Sequence, residues 1–246
     1  MSIFVILIEI AQQAQQLELN CKYNYDFQDY SCDVQNLQTT FTNRTVTNVI
    51  GKHFKRSDDK SVKNLFISTQ NCPFLLLNLN QFFTNLQFLG VMKSNVQHLM
   101  SNDLNGLDEL IHLDLSNNPI KQIGHDFFKE KSKILFVSFE NCHLKKIDPE
   151  FMNNLKNLYS ISFIGNDCIS FEAYGRSEMI LLKRMIIENC QENYQQNFAI
   201  GFIKKCEISK NSILDIIVTS IIIFLLILVL SLSTLYINIR KKYILE

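Results

Sequence analysis

LIHLDLSNNPIKQI, running from Leu110 to Ile123, sets Leu110, Leu113, Leu115, Ile120 and Ile123 around a single polar residue, Asn118. Side chains of a strand alternate, so Leu113 and Leu115 fall on one side of a short extended segment and His112, Asp114 and Ser116 on the other. The phrase recurs: Leu65, Leu89, Leu113, Val137 and Ile161 stand 24 residues apart, and each opens a version of it. A fixed period of that size marks a solenoid of stacked coils rather than a single globule. Gln70, Ser94, Cys142 and Asn166 take the position of Asn118 in the other copies. Their polar or thiol groups can satisfy backbone groups of neighbouring coils that burial would otherwise leave unpaired. Ahead of each strand, Leu86, Leu107, Leu110, Phe128, Ile134, Leu155 and Leu158 are expected to fill the far side of the core.

This pattern resembles the leucine-rich repeat family, with five copies over residues 62–171, the one at Leu65 degenerate because Cys72 stands where Ile120 stands later. The resemblance implies an α/β solenoid: a right-handed leucine-rich repeat horseshoe with a parallel concave β-sheet, capped at both ends.

The 246 residues are 47% apolar and carry 24 basic against 24 acidic side chains. There is no basic footprint to draw nucleic acid. With only 7 Gly and 3 Pro, no low-complexity spacer is evident.

No charged residue occurs from Ile216 to Ile239, and as a helix the aliphatic run would reach about 33 Å, enough to cross a bilayer. One transmembrane helix is therefore expected over residues 213–239, with a cytoplasmic tail over 240–246. Arg240, Lys241 and Lys242 at its end favour that orientation, although Lys204, Lys205 and Lys210 weigh the other way. The apolar run Ile3 to Ile8, with Ala11 and Ala14 behind it, has the form of a secretory signal peptide over residues 1–14, though Glu9 interrupts it and no base precedes it. A tail over residues 240–246 would be too short to fold, so any signalling is expected to pass through a partner.

An oxidising compartment fits the 7 cysteines. A solenoid needs a cover at each end of its core. Pairing Cys21 with Cys32 would staple an N-terminal cap over residues 15–61. Cys168 with Cys190 would close a C-terminal cap over 172–190, whose helix, starting near Ser177, offers Ile180, Leu181, Leu182, Met185, Ile186 and Ile187 to the last coil. Leucine-rich repeat ectodomains commonly carry such caps. Cys72 and Cys142 lie three coils apart, about 14 Å at the strand spacing, beyond the roughly 7 Å a disulfide allows, so both are expected as buried thiols. Cys206, in a polar stalk over residues 191–212, is an odd thiol: it could bridge two chains into a dimer, pair with a cap cysteine or stay free. Asn43-Arg44-Thr45 is a glycosylation sequon, and Asn43 is expected to carry a glycan if the segment is exposed.

Chemistry is hard to find. His53, His98, His112, His125 and His143 fall at different phases of the repeat and read as ordinary surface histidines; Asp58-Asp59 and Asp108-Glu109 read as solvated loop charges. No nucleophile, phosphate-loop or zinc motif occurs, so neither an enzyme nor a cofactor is expected. The displayed side of the strands is more informative. The period places Phe66, Phe88, Met92, His112, Asp114, Phe136 and Glu140 on it, an aromatic-rich set typical of a binding core. Phe88 and Phe136 should stand about 10 Å apart. The alternative is that a narrow five-coil arc buries some of these groups against each other or against the caps.

Tyr30-Ser31-Cys32-Asp33-Val34, Gly51-Lys52-His53, and Gly165-Asn166-Asp167-Cys168-Ile169 with Asn189-Cys190 resemble leucine-rich repeat proteins, secreted and membrane-bound, that are expanded in insects. Some of that group act in immune recognition. This chain departs from the mosquito immune members, which carry a long coiled coil after the repeats; the shared part is the scaffold. The expectation is a plasma-membrane binding protein with its ectodomain outside: an adhesion molecule, co-receptor or decoy receptor for a protein ligand. A structural or assembly protein that holds a client in secretory membranes is the second reading.

Overall fold

The computed structural model describes residues 17–26 and 29–191. The expected signal peptide, the stalk beyond Gln191 with Cys206, the membrane span and the tail lie outside them. Among the described residues no helix is long and apolar enough to cross a membrane.

Among the described residues there are eleven strands: β1 (Leu17–Asp26), β2 (Asp29–Gln35), β3 (Val46–Ile50), β4 (Asn64–Ser68), β5 (Phe88–Met92), β6 (His112–Asp114), β7 (Gln122–Ile123), β8 (Phe136–Ser138), β9 (Lys146–Ile147), β10 (Ser160–Ser162) and β11 (Glu172–Tyr174). Nine of them form one mostly parallel sheet in the order β11-β10-β8-β6-β5-β4-β2-β1-β3, and β7 and β9 form a small second sheet. The architecture is compatible with a solenoid. Its register is the repeat itself, because Leu65, Leu89, Leu113, Val137 and Ile161 are partners from strand to strand. All five are buried.

Turn chemistry and the polar ladder hold each coil. Thr69, Lys93, Asn117, Asn141 and Gly165 follow the strands at the same period, and all have a left-handed backbone. Asn tolerates that region and Gly suits it best. At Gly165 a Cβ would also displace the end of the Asn141 side chain. One residue further on, Asn118 Nδ2 donates to the carbonyls of Val91 and Leu115 at 2.6 and 2.8 Å. Asn166 does the same to Phe139 and Phe163 at 2.7 and 2.8 Å. Ser94 and Cys142, in that position, donate to the carbonyls of Ile67 and Leu115. Beneath the ladder, the rings of Phe139 and Phe163 stack at 5.6 Å, and Phe128 and Phe151 pack edge-on around them.

Both caps are bridged. Cys21 joins Cys32 across the antiparallel pair β1 and β2, and Cys168 joins Cys190, with Cα atoms 5.3 and 5.2 Å apart. The N-terminal cap also enters the repeat, since Cys32 is the register partner of Leu65. Cys72 and Cys142 are buried thiols, and burial pushes both pKa values up to about 12.

Four expectations need correction. The closing helix runs over Gly175–Asn189, starting earlier than expected, and a strand, β11, precedes it. Only Leu182 and Ile186 of that helix are fully buried, with Met179 and Met185 packed beside them; Ile180, Leu181 and Ile187 face solvent, because a single sheet edge can cover only one side of a helix. His53 is no ordinary surface residue: it stacks on Tyr23 at 4.0 Å, meets Tyr30 Oη at 3.0 Å and lies 3.3 Å from Asp59. Asp59 in turn accepts from Tyr23 Oη, so it is a cap partner rather than a solvated charge.

The sequon segment is also less open than its composition suggests. Arg44 is buried, paired with Asp103 of the second coil and bonded to the Leu75 carbonyl at 3.1 Å. Asn43 beside it is half-buried, with its Oδ1 enclosed and without a hydrogen-bond partner.

Candidate binding face

The strands that bury Leu65 to Ile161 turn the alternate residues outward. Phe88, His112 and Phe136 are direct register partners on β5, β6 and β8, and Phe66 sits on β4 one pleat along. Their rings make a continuous row: Phe66 to Phe88 at 5.0 Å, Phe88 to His112 at 4.7 Å, His112 to Phe136 at 5.6 Å and Phe136 to Tyr159 at 5.8 Å. Such separations suit offset and edge-to-face contact between aromatic groups. Gly90 makes room for the row, since a Cβ there would come within 2.7 Å of the Phe88 ring.

Part of this face is buried against itself and part is open. Phe66, Phe88, Met92 and His112 are half-buried against one another, whereas Phe136 is 36% exposed and Tyr159 56%. Small residues in the same columns, Gly90, Ser116, Ser160 and Ser162, are covered by their larger neighbours. Burial holds the pKa of His112 below the ordinary imidazole value, with Asp114 opposing the shift, so the ring in the middle of the row is neutral at pH 7.

Carboxylates border the row. Asp114 Oδ1 accepts from the Ser116 amide at 2.9 Å, and Glu140 Oε1 from Ser162 Oγ at 2.8 Å. Glu172 on β11 follows, and its hydrogen bond to Tyr174 is the main cause of that phenol's raised pKa. Among the described residues no Lys or Arg forms an ion pair with Asp114, Glu140 or Glu172.

All seven residues expected on the displayed side are there, and the row brings together Phe66, Phe88, His112 and Phe136. Tyr159 and Tyr174 were missed. Tyr159 occupies the position of Leu135, Ile111 and Gln87, just before the strand column, so the period could have pointed to it. Tyr174 belongs to β11, which runs antiparallel to β10 and lies outside the repeat. Among the described residues no group of three or more His, Cys, Asp or Glu could hold a metal ion.

No protein-family model matches the chain, and no curated protein does. Among solved structures, the Toll–Spatzle complex, a molecular hub in Drosophila development and innate immunity, is similar with a TM-score of 0.43 and 14% identity. The similar region covers 51% of this chain and 17% of that one.

Proposed function

We propose that the chain is an extracellular leucine-rich repeat protein that binds a protein ligand through the aromatic row, held at the plasma membrane by the span over residues 213–239. The observation that carries this reading is the line of touching rings from Phe66 to Tyr159, unusual on a sheet face open to water. Two disulfides agree with an oxidising compartment. A fitting partner sets an apolar group against His112 and Phe136 and a base towards Asp114, Glu140 and Glu172.

The test is a pull-down with residues 15–212, followed by identification of what is bound. Phe88→Ser with Phe136→Ser should leave folding intact and weaken capture, whereas Leu113→Ser, which places a hydroxyl where Leu113 is fully buried, should destabilise the coil. Equal capture by the double variant would defeat the binding-face assignment. Surface biotinylation of the full chain separates a cell-surface receptor, which labels, from an assembly protein retained in secretory membranes, which does not.

A further inference from the structure

The helix Gly175–Asn189 seals the last coil with one side and offers the other to solvent. At about 100° per residue, a stripe centred on Ile180 and Ile187, roughly 130° round the helix from Leu182 and Ile186, carries Arg176, Lys183 and Arg184 on its edges, Lys183 half-buried. Ile180 is 62% exposed and Ile187 47%. Glu178 turns back to accept from the Tyr174 amide at 2.8 Å, and the exposed Glu188 stands just outside the stripe, one turn beyond Arg184. Isoleucines interleaved with bases on one exposed helical face form the pattern of an interfacial helix, which places its aliphatic groups in the headgroup layer and its cations against lipid phosphates.

We propose that this outer face lies on a bilayer surface, with Ile180 and Ile187 inserted among the headgroups and Arg176, Lys183 and Arg184 paired with lipid phosphates. The Cys168–Cys190 bridge and the buried Leu182 and Ile186 hold the helix rigidly to the repeats, so the face is already formed before contact. Lys183 is the cation that must turn, since its Nζ meets Asn153 Oδ1 at 3.3 Å. Two isoleucines bind lipid weakly by themselves. The proposal therefore rests on the expected span at residues 213–239, whose tether keeps the face at high local concentration beside the membrane. A second copy of the chain fits this stripe less well, because two such faces would oppose base to base.

The chain contains no tryptophan, which permits a single-reporter experiment. Full-length chain carrying Ile187→Trp is reconstituted into phosphatidylcholine–phosphatidylglycerol vesicles with and without lipids brominated near the headgroup; Tyr159→Trp serves as the comparison. Blue-shifted emission at Ile187→Trp, quenched several-fold more by the brominated lipid than that of Tyr159→Trp and weakened by adding Arg176→Gln with Arg184→Gln, is the expected result. Carbonate washing reports the span separately. Chain that resists washing but shows no quenching overturns the proposal and leaves the span intact. Quenched chain that carbonate releases supports the face and removes the span, and chain that is released and unquenched removes both. A blue shift that grows with protein density and ignores bromine identifies a second copy as the occupant and also overturns the proposal.

Discussion

Asn118 Oδ1 accepts hydrogen bonds from the amides of both Ser94 and Val96, at 2.9 and 3.0 Å, so one side chain closes the turn of the coil before its own. Asn118→Leu strands those buried amides and should cost about 2 to 6 kcal/mol at roughly 1 to 3 kcal/mol each, read from urea unfolding. Asn118→Ser should lose less, because Ser94 shows that a hydroxyl can serve this position.

Arg44 and Asp103 form a buried pair 59 residues apart in sequence. Arg44→Met leaves Asp103 enclosed without its cation, a change worth about 3 to 5 kcal/mol. Asp103 already has a raised pKa from burial, and Arg44 is what opposes the rise. In the variant the folded state therefore holds the proton to still higher pH than the unfolded state. The loss should be small below about pH 4, the ordinary carboxylate range, and should grow as pH rises through and above it. A loss that is largest in acid would contradict the assignment.

Cys190 is fully buried and its carbonyl accepts from the Ile147 amide at 3.2 Å. Cys190→Ser should destabilise by about 2 to 5 kcal/mol and should lower the protease resistance of the last coil first. Non-reducing digestion of the parent chain should yield linked peptides for Cys21 with Cys32 and for Cys168 with Cys190.

With their pKa values pushed up to about 12, Cys72 and Cys142 should resist iodoacetamide at neutral pH while the chain is folded, because the thiolate is the nucleophile. Both should alkylate promptly in denaturant. Mass spectrometry of the two peptides distinguishes the states.

Thr69 holds φ at 56°, a region that a β-branched residue adopts only under strain. Asn117 and Asn141 occupy the equivalent turns, so Thr69→Asn should stabilise the first coil by about 1 kcal/mol, visible as a rise in Tm.

The repeats were legible because a buried strand face and a sharp turn recur with the chain's own period: Leu65 to Ile161 pair as their spacing requires. The displayed residues followed from alternation alone. What escaped were contacts with no period. Arg44 looked like part of an open polar sequon because nothing local points to Asp103. His53 gave no sign of Tyr23 and Asp59, which reach it from a strand and a turn of the cap. In the closing helix Ile180, Leu181 and Ile187 are as apolar as Leu182 and Ile186, and only packing decides which side of the helix a single sheet edge will accept. Tyr174 entered the face through a strand reversal that the repeat does not contain.

The direction of the strands has a consequence for how this molecule can vary. From β2 through β10 every neighbour runs parallel, while β1 against β2 and β11 against β10 run the opposite way. A further coil cannot be appended beyond either reversal, but one can be spliced between them, because each junction presents the same register to the next. Loss or duplication of a whole 24-residue unit would then shift the far cap by one strand width, about 4.8 Å, and lengthen or shorten the aromatic row by one ring. The caps make the array finite; the interior makes its length a heritable setting that changes in whole steps.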